Sequence, residues 1–451
     1  MKPFSILFLF LSVFVLTLKA QQNKELSTDE IYKQAYQNIE KYRKADFSVQ
    51  LSGVKTKNLA DYEISVEQVS HDFLFGCIIF DLTGHVRLPS NDSLYRERFK
   101  HLFNFAVFPF YWAGYETQPG KTKEKQVADV VKWCAENGIT TKGHPLCWSH
   151  TAGTPKWLAP LSPVERWQLQ QQRITDIVSG FKNQIEIWDV VNEPVNTVPW
   201  QMAAADKEFS DNNRYKSNYS IGQISGYVDS CFTIARKANP AAHLILNEFG
   251  QEIDNHSQQR FFDLVKRLQA KKTPIDAIGI QQHEPNAGRY YYSPQEIWNL
   301  YEKYAELGLP YHIAELIQVS NGDSIKGSYK TGIWTEQEQA ECAEMMFTLA
   351  FGYPLVKSIN WWGMWDGNIW QEKGGLVDEK FNPKPVYTML DQLINHAWKT
   401  KIGNLKPDAK GNVSFRGFKG DYKVTVKKNG LVVKEEKLKY DDNLKPLIVK
   451  L

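Results

Sequence analysis

IEIWDVVNEP, residues 185 to 194, is the stretch whose reading decides the fold. It is a short run of Ile, Trp and Val that stops on Asn192, Glu193 and Pro194. A run apolar on both of its faces suits a strand covered on both sides, as in a parallel sheet flanked by helices. Runs of this kind recur on either side of it. FLFGCIIF (73–80), FNFAVFPF (103–110) and TTKGHPLCW (140–148) precede it; HLILNEFG (243–250), AIGIQQHE (277–284), PYHIAELI (310–317) and SINWWGMW (358–365) follow. Between them lie amphipathic helical patterns such as VADVVKWCAENG and SPVERWQLQQQRITDIVSG, several opening on Ser or Pro. Strict alternation of buried strands with helices predicts an α/β fold with a parallel sheet. Eight such units, within residues 73–398, predict closure into a (β/α)8 barrel.

The ends of these runs carry the polar residues. His144, Trp148, Asn192, Glu193, Asn247, Glu248, Gln281, His283, Glu315 and Trp362 all fall at or near the C-terminal end of a predicted strand, the rim on which barrel enzymes build their sites. Two of them demand a reason: Glu193 closes an apolar run and Glu315 sits inside one, where a carboxylate is expensive. Each alone could be a capping or ion-paired glutamate. On the fourth and seventh strands of one barrel, however, they face the same mouth, and paired carboxylates across a cleft are what glycoside cleavage requires. No Ser-His-Asp order, phosphate-binding glycine loop or Cys/His metal spacing competes for that mouth, so neither a metal nor a cofactor is expected.

Composition agrees. Lys and Arg total 54 against 51 Asp and Glu, a net charge of +3 in 451 residues, which gives no reason to expect a nucleic-acid partner. At the N-terminus Lys2, an apolar run from Phe4 to Leu18 and a small-residue exit at Ala20 read as a cleaved signal peptide over residues 1–20. The run is short of the roughly 20 residues of a spanning helix, so a secreted or periplasmic protein without stable membrane insertion is expected. Five cysteines, Cys77, Cys134, Cys147, Cys231 and Cys342, sit mostly in apolar segments and read as core, with room for one disulfide.

Outside the barrel, residues 24–72 predict a helix (Asp29 to Lys44) and then DFSVQLSG and DYEISVEQV as a strand pair. Residues 403–451 alternate similarly, with Lys428-Asn429-Gly430 a hairpin turn. A small β appendage built from one or both ends, packed on the barrel, is expected.

With these residues in place the chain resembles glycoside hydrolase family 10, which consists mainly of endo-β-1,4-xylanases. The motifs are WDVVNEP around Glu193, GHPLCW (143–148), IGIQQH (278–283), AEL around Glu315, and Trp362-Gly363 with Trp370 eight residues on. FRGF (415–418) and the strand-rich N-terminus resemble plant-type members. The resemblance implies a retaining hydrolase acting on a polysaccharide or oligosaccharide, with Glu193 as acid/base and Glu315 as nucleophile. It implies that Asn192 bonds the sugar 2-OH and that His283 orients the nucleophile. His144, Trp148 and Gln281 then line the subsites nearest the cleaved bond, and Trp362 and Trp370 roof the sugar.

Two departures stand out. The second strand of the family usually ends in Glu-Asn followed by Lys, which hold the distal sugar on the non-reducing side; FPFYWAGYE (108–116) has Pro109, Phe110 and Ala113 there. Phe110, Tyr111 and Trp112, with Glu116, are alternatives as sugar contacts or as barrel packing. The family also commonly has an Asp two residues after the nucleophile to support the histidine. Here that residue is Ile317, which leaves Glu284 or Gln318 as partners for His283. Three functions follow: a xylanase, the same machinery on another β-glycan or short glycoside, or a non-catalytic carbohydrate-binding barrel.

Overall fold

The computed structural model describes residues 26–84, 92–196, 220–250, 255–283, 288–440 and 443–451; the expected signal peptide lies outside them. Eight parallel strands close a barrel: β1 (Leu74–Ile78), β2 (Phe105–Pro109), β3 (Thr140–His144), β4 (Ile187–Asn192), β5 (His243–Glu248), β6 (Ala277–Gln282), β7 (Tyr311–Leu316) and β8 (Val356–Trp361). Each pairs with its successor, and β8 pairs with β1. All eight predicted runs are strands, one to three residues shorter at their ends than the apolar runs in most cases, because the rim residues leave the ladder to form the site. Among the described residues no helix is long and apolar enough to cross a membrane.

A helix follows every strand, and the local signals that start these helices are physical. Ser162, Ser220 and Ser293 each accept a bond from the third helical N–H while Glu165, Gln223 and Glu296 reach back to the cap. Such caps stabilise a helix start by about 1 kcal/mol. Pro163 and Pro294 take the first helical position, where a missing N–H costs nothing. The helices bury their apolar stripes on the outside of the barrel in one continuous core.

Both chain ends build the appendage, but the two N-terminal strands are not partners. Lys44–Ser52 pairs with 412–418 and 447–450, whereas Tyr62–Gln68 lies in a second sheet between 401–405 and 422–428. The connection crosses from one sheet to the other through Gly53 (φ +86°) and a 3-10 turn at Thr56–Asp61 rather than folding back as a hairpin. Phe47, Val49, Ile64, Val66, Phe415 and Val424 fill the space between the sheets. The C-terminal hairpin forms as predicted, with Asn429 and Gly430 both at positive φ.

The N-terminal helix also ends earlier than expected. It spans Thr28–Asn38, widens into a π turn at Ile39–Arg43, and gives way to strand at Lys44. The π turn carries Arg43 under the barrel, where its guanidinium donates to the carbonyls of Phe351 (2.7 Å), Tyr353 (2.7 Å) and Val356 (2.9 Å). Arg43→Met leaves three buried acceptors without donors and is expected to destabilise by on the order of 3 kcal/mol. Urea unfolding should show a lower midpoint with an unchanged slope. The five cysteines are buried and none is in a disulfide, so the pairing the sequence left open is not made.

Candidate active site

Glu193 follows β4 in the left-handed region, at φ +56°, an uncommon conformation for a side-chain-bearing residue that costs about 1–3 kcal/mol. Its N–H donates to the carbonyl of Asn247 (2.8 Å), so the strain is held by the neighbouring strand. Just after β3, Cys147–Trp148 runs parallel to Val191–Asn192. This brings Trp148 Nε1 to 2.7 Å from Glu193 Oε2. Gln281 and Asn192 donate to Glu193 Oε1, each at 3.2 Å.

Glu315 is aimed by a register shift between β6 and β7, where Ile280 opposes Ile313 but Gln281 opposes Glu315. Asn247 Nδ2 donates to its Oε1 at 3.0 Å, and His283 Nε2 lies 3.3 Å from its Oε2. His144 Nε2 is 3.6 Å from Oε1. The same Asn247 amide donates to Asn192 Oδ1 (2.8 Å), so Glu193, Asn192, Asn247 and Glu315 form one buried hydrogen-bonded chain. Room for Asn247 exists only because residue 279 is glycine; a Cβ there would stand 2.3 Å from Asn247 Oδ1.

Behind His144 lies a pair that sequence reading passed over. Lys142 Nζ and His144 Nδ1 both meet Asp189 Oδ2, at 2.8 and 2.7 Å, with all three side chains buried. Burial alone would raise the Asp189 carboxyl, but Lys142 and His144 hold it down, at about 2. A Lys and an Asp inside two apolar strands were the available signal. Glu248, noted only as a strand end, is fully buried and takes bonds from the N–H groups of Val195 (2.8 Å) and Phe249 (3.0 Å). It braces the chain just beyond Glu193.

Both rim glutamates are raised from 4.5 to about 7, mainly by burial. They differ in what surrounds them. The charge of Glu315 pushes Glu193 up further, while His144 and Lys142 favour the anion at Glu315. Asp189 raises Glu315 in turn and His283 favours the anion at Glu193, so the two carboxyls titrate as a coupled pair in which a charge on one favours the proton on the other. Between pH 4.5 and 7 the folded protein binds more protons at Glu193 than the unfolded chain does, so stability falls as pH rises through that window. Glu193→Gln is accordingly expected to raise Tm at pH 8 and to have little effect at pH 4. Thermal melts at the two pH values measure it.

The cleft holds about 1110 Å³, open solvent included, and is lined by Trp148, Asn192, Glu193, Gln281, His283, Glu315, Trp362 and Trp370. His144 is not on its surface but packs edge-on against Trp362, ring centroids 5.1 Å apart. Trp370 is about half exposed and stands edge-on to His283 at 5.0 Å. All nine sequence-predicted residues are thus in or directly behind one cleft.

The two departures resolve differently. Of the three aromatics after β2, Phe110 is buried against Phe181 and Trp188 in the core, worth about 2–3 kcal/mol of burial. Trp112 turns outward to Trp157, its Nε1 bonded to Glu116 (2.7 Å). Only Tyr111 lines the cleft, its ring against His144 (5.5 Å) and Trp148 (5.4 Å). Glu116 is away from the cleft with Trp112. Ile317 is buried in an apolar cluster with Val107 and Trp362, where a carboxylate would find no water. Gln318 does not take over the support of His283: among the described residues its side chain meets no hydrogen-bonding group, and Glu284 lies outside them.

The family model for glycosyl hydrolase family 10 matches residues 84–393, over half of the chain. The chain belongs to glycosyl hydrolase family 10. As a family 10 member it is a glycosidase built on the (β/α)8 barrel. Endo-1,4-beta-xylanase B of Thermotoga neapolitana is 30% identical over 281 residues, 60% of this chain and 74% of that protein. Endo-1,4-beta-xylanase 1 of Arabidopsis thaliana is 26% identical over 86% of this chain, which spans only 37% of that longer protein. The plant match therefore extends beyond the barrel into the appendage. The crystal structure of native xylanase 10B from Thermotoga maritima superposes with a TM-score of 0.57 at 26% identity, covering 72% of this chain and 96% of that one.

Proposed function

We propose that the chain is a retaining endo-β-1,4-xylanase, cleaving xylan or a related plant cell-wall glycan by double displacement, with Glu193 as acid/base and Glu315 as nucleophile. The observation that carries the reading is the coupled pair. Two buried carboxyls share one cleft, the charge of Glu315 raises Glu193, and Lys142 and His144 stand behind Glu315. Glu193 gives its proton to the leaving oxygen while ionised Glu315 attacks the anomeric carbon. Once Glu315 is a neutral ester, its charge no longer raises Glu193, which releases its proton and activates water. Asn192, fixed by Asn247, is placed to bond a sugar hydroxyl, and His283 and Asn247 hold the nucleophile's two oxygens apart. Trp362 and Trp370 offer flat apolar faces to the ring.

The names of the relatives support xylan as substrate. Lys2 and the apolar run Phe4 to Leu18 support export to where such glycans are met. Product analysis on purified xylans is the test: a ladder of xylo-oligomers, with the β-anomer appearing first by NMR, is expected. Silence on every xylan overturns the substrate. Hydrolysis of another β-glycan would then establish the second reading, which the loss of polar groups at Pro109, Phe110 and Ala113 favours.

A further inference from the structure

The position of β4 and β8 on opposite sides of an eight-strand barrel orients the cleft. Glu193 follows β4 and faces the leaving group, so loops after β8 and β1 lie on the far side, where the glycone extends. On that side the second strand contributes no polar side chain except the Tyr111 hydroxyl. Polar groups are present instead one strand back. Asp81, in the turn after β1, and Asn368, in the loop after β8, both line the cleft, and Asn368 Nδ2 donates to Asp81 Oδ1 at 2.7 Å.

Between this pair and the two glutamates runs an aromatic floor. Phe80 stands edge-on to Tyr111 (5.6 Å) and to Trp362 (5.7 Å), and Tyr111 continues to Trp148 (5.4 Å). Ile369, next to Asn368, packs on the apolar cluster of Val107, Ile317 and Trp362, as Phe80 does. We propose that Asp81 and Asn368 are a relocated sugar subsite, taking the hydroxyls of the second glycone unit while Tyr111 and Phe80 carry its apolar face. The proposal rests on the glycosidase reading above and adds which residues set glycone length.

The chemistry suits a pyranose. A carboxylate offers about four acceptor positions, and the Asn368 amide takes one of them. The Asn368 carbonyl adds another acceptor, and its side chain is solvent-facing until a sugar covers it. Hydroxyl bonds to a charged acceptor discriminate strongly, about tenfold to a hundredfold in affinity for one bond lost.

The experiment compares aryl β-xyloside, with one glycone unit, and aryl β-xylobioside, with two, in the full-length protein and in Asp81→Asn and Asn368→Ala. The quantity read is the ratio of kcat/KM for the bioside to that for the xyloside. It is expected to fall about tenfold to a hundredfold in either variant, chiefly through KM of the bioside. A ratio left unmoved, whether both rates drop together or neither does, overturns the subsite, because a merely structural role would act on both substrates alike. Asn368→Ala keeps the test decisive should Asp81→Asn fail to fold, since Asn368 is exposed. Failure of the parent reading looks different: the unsubstituted protein would cleave neither glycoside, and this subsite would fall with it.

Discussion

Glu315→Gln is expected to lower kcat/KM by about 10⁴-fold or more on any substrate, with the fold unchanged. In the proposed mechanism this carboxylate forms the covalent intermediate, and loss of a nucleophile typically costs that much or more. Glutamine keeps the size of the side chain and one acceptor for the Asn247 amide, which now holds Glu315 Oε1 at 3.0 Å. The substitution therefore tests chemistry rather than packing. It also removes the charge that raises Glu193. The Glu193 pKa should fall in the variant, readable by ¹³C NMR of labelled glutamate. Steady-state rates on an aryl glycoside settle the main point: activity within tenfold of the unsubstituted protein would refute the assignment of Glu315.

Glu193→Ala should behave in a different way, and the difference identifies its role. On a natural glycan the leaving alkoxide needs a proton, and removal of the general acid is expected to cost about 10²- to 10⁴-fold. A dinitrophenyl leaving group needs none, so formation of the glycosyl-enzyme should survive, while its hydrolysis, which needs the same residue as base, becomes slow. A burst equal to one turnover per molecule is the expected signature. Azide added to the variant fits the space vacated beneath Trp148 Nε1 and Gln281 Nε2, both of which donate to Glu193 in the intact site. It should raise turnover and yield a β-glycosyl azide. An α-azide product, or equal loss on both classes of leaving group, would sink the acid/base assignment.

The barrel was legible because its strands are covered on both faces and so read as continuous apolar runs; the eight quoted segments each contain one. The appendage was legible as strands but not as pairings. Alternation shows that Lys44–Ser52 and Tyr62–Gln68 each bury one face, yet it carries no information about which edge each will meet, and both found C-terminal partners instead of each other. At the site, Glu193 and Glu315 announced themselves as carboxylates in apolar surroundings. Asn247 stood in view at a strand end, but its importance depends on the space left by Gly279 on the next strand.

The sequence by itself determined the alternation of strand and helix, the rim residues and the two carboxylates, because these follow from local pattern and from the cost of burying charge. Tertiary structure alone decided the rest. Closure of the barrel brings Lys142 and His144 onto Asp189, some 45 residues away along the chain. It places Lys142 and His144 behind Glu315 and sets Glu193 against the charge of Glu315. It also sorts the consecutive aromatics 110 to 112 into core, cleft and outer cluster, since the chain leaves the strand and turns helical at Trp112. Electrostatic environment and side-chain direction are sums over neighbours distant in sequence, and only the folded chain defines those neighbours.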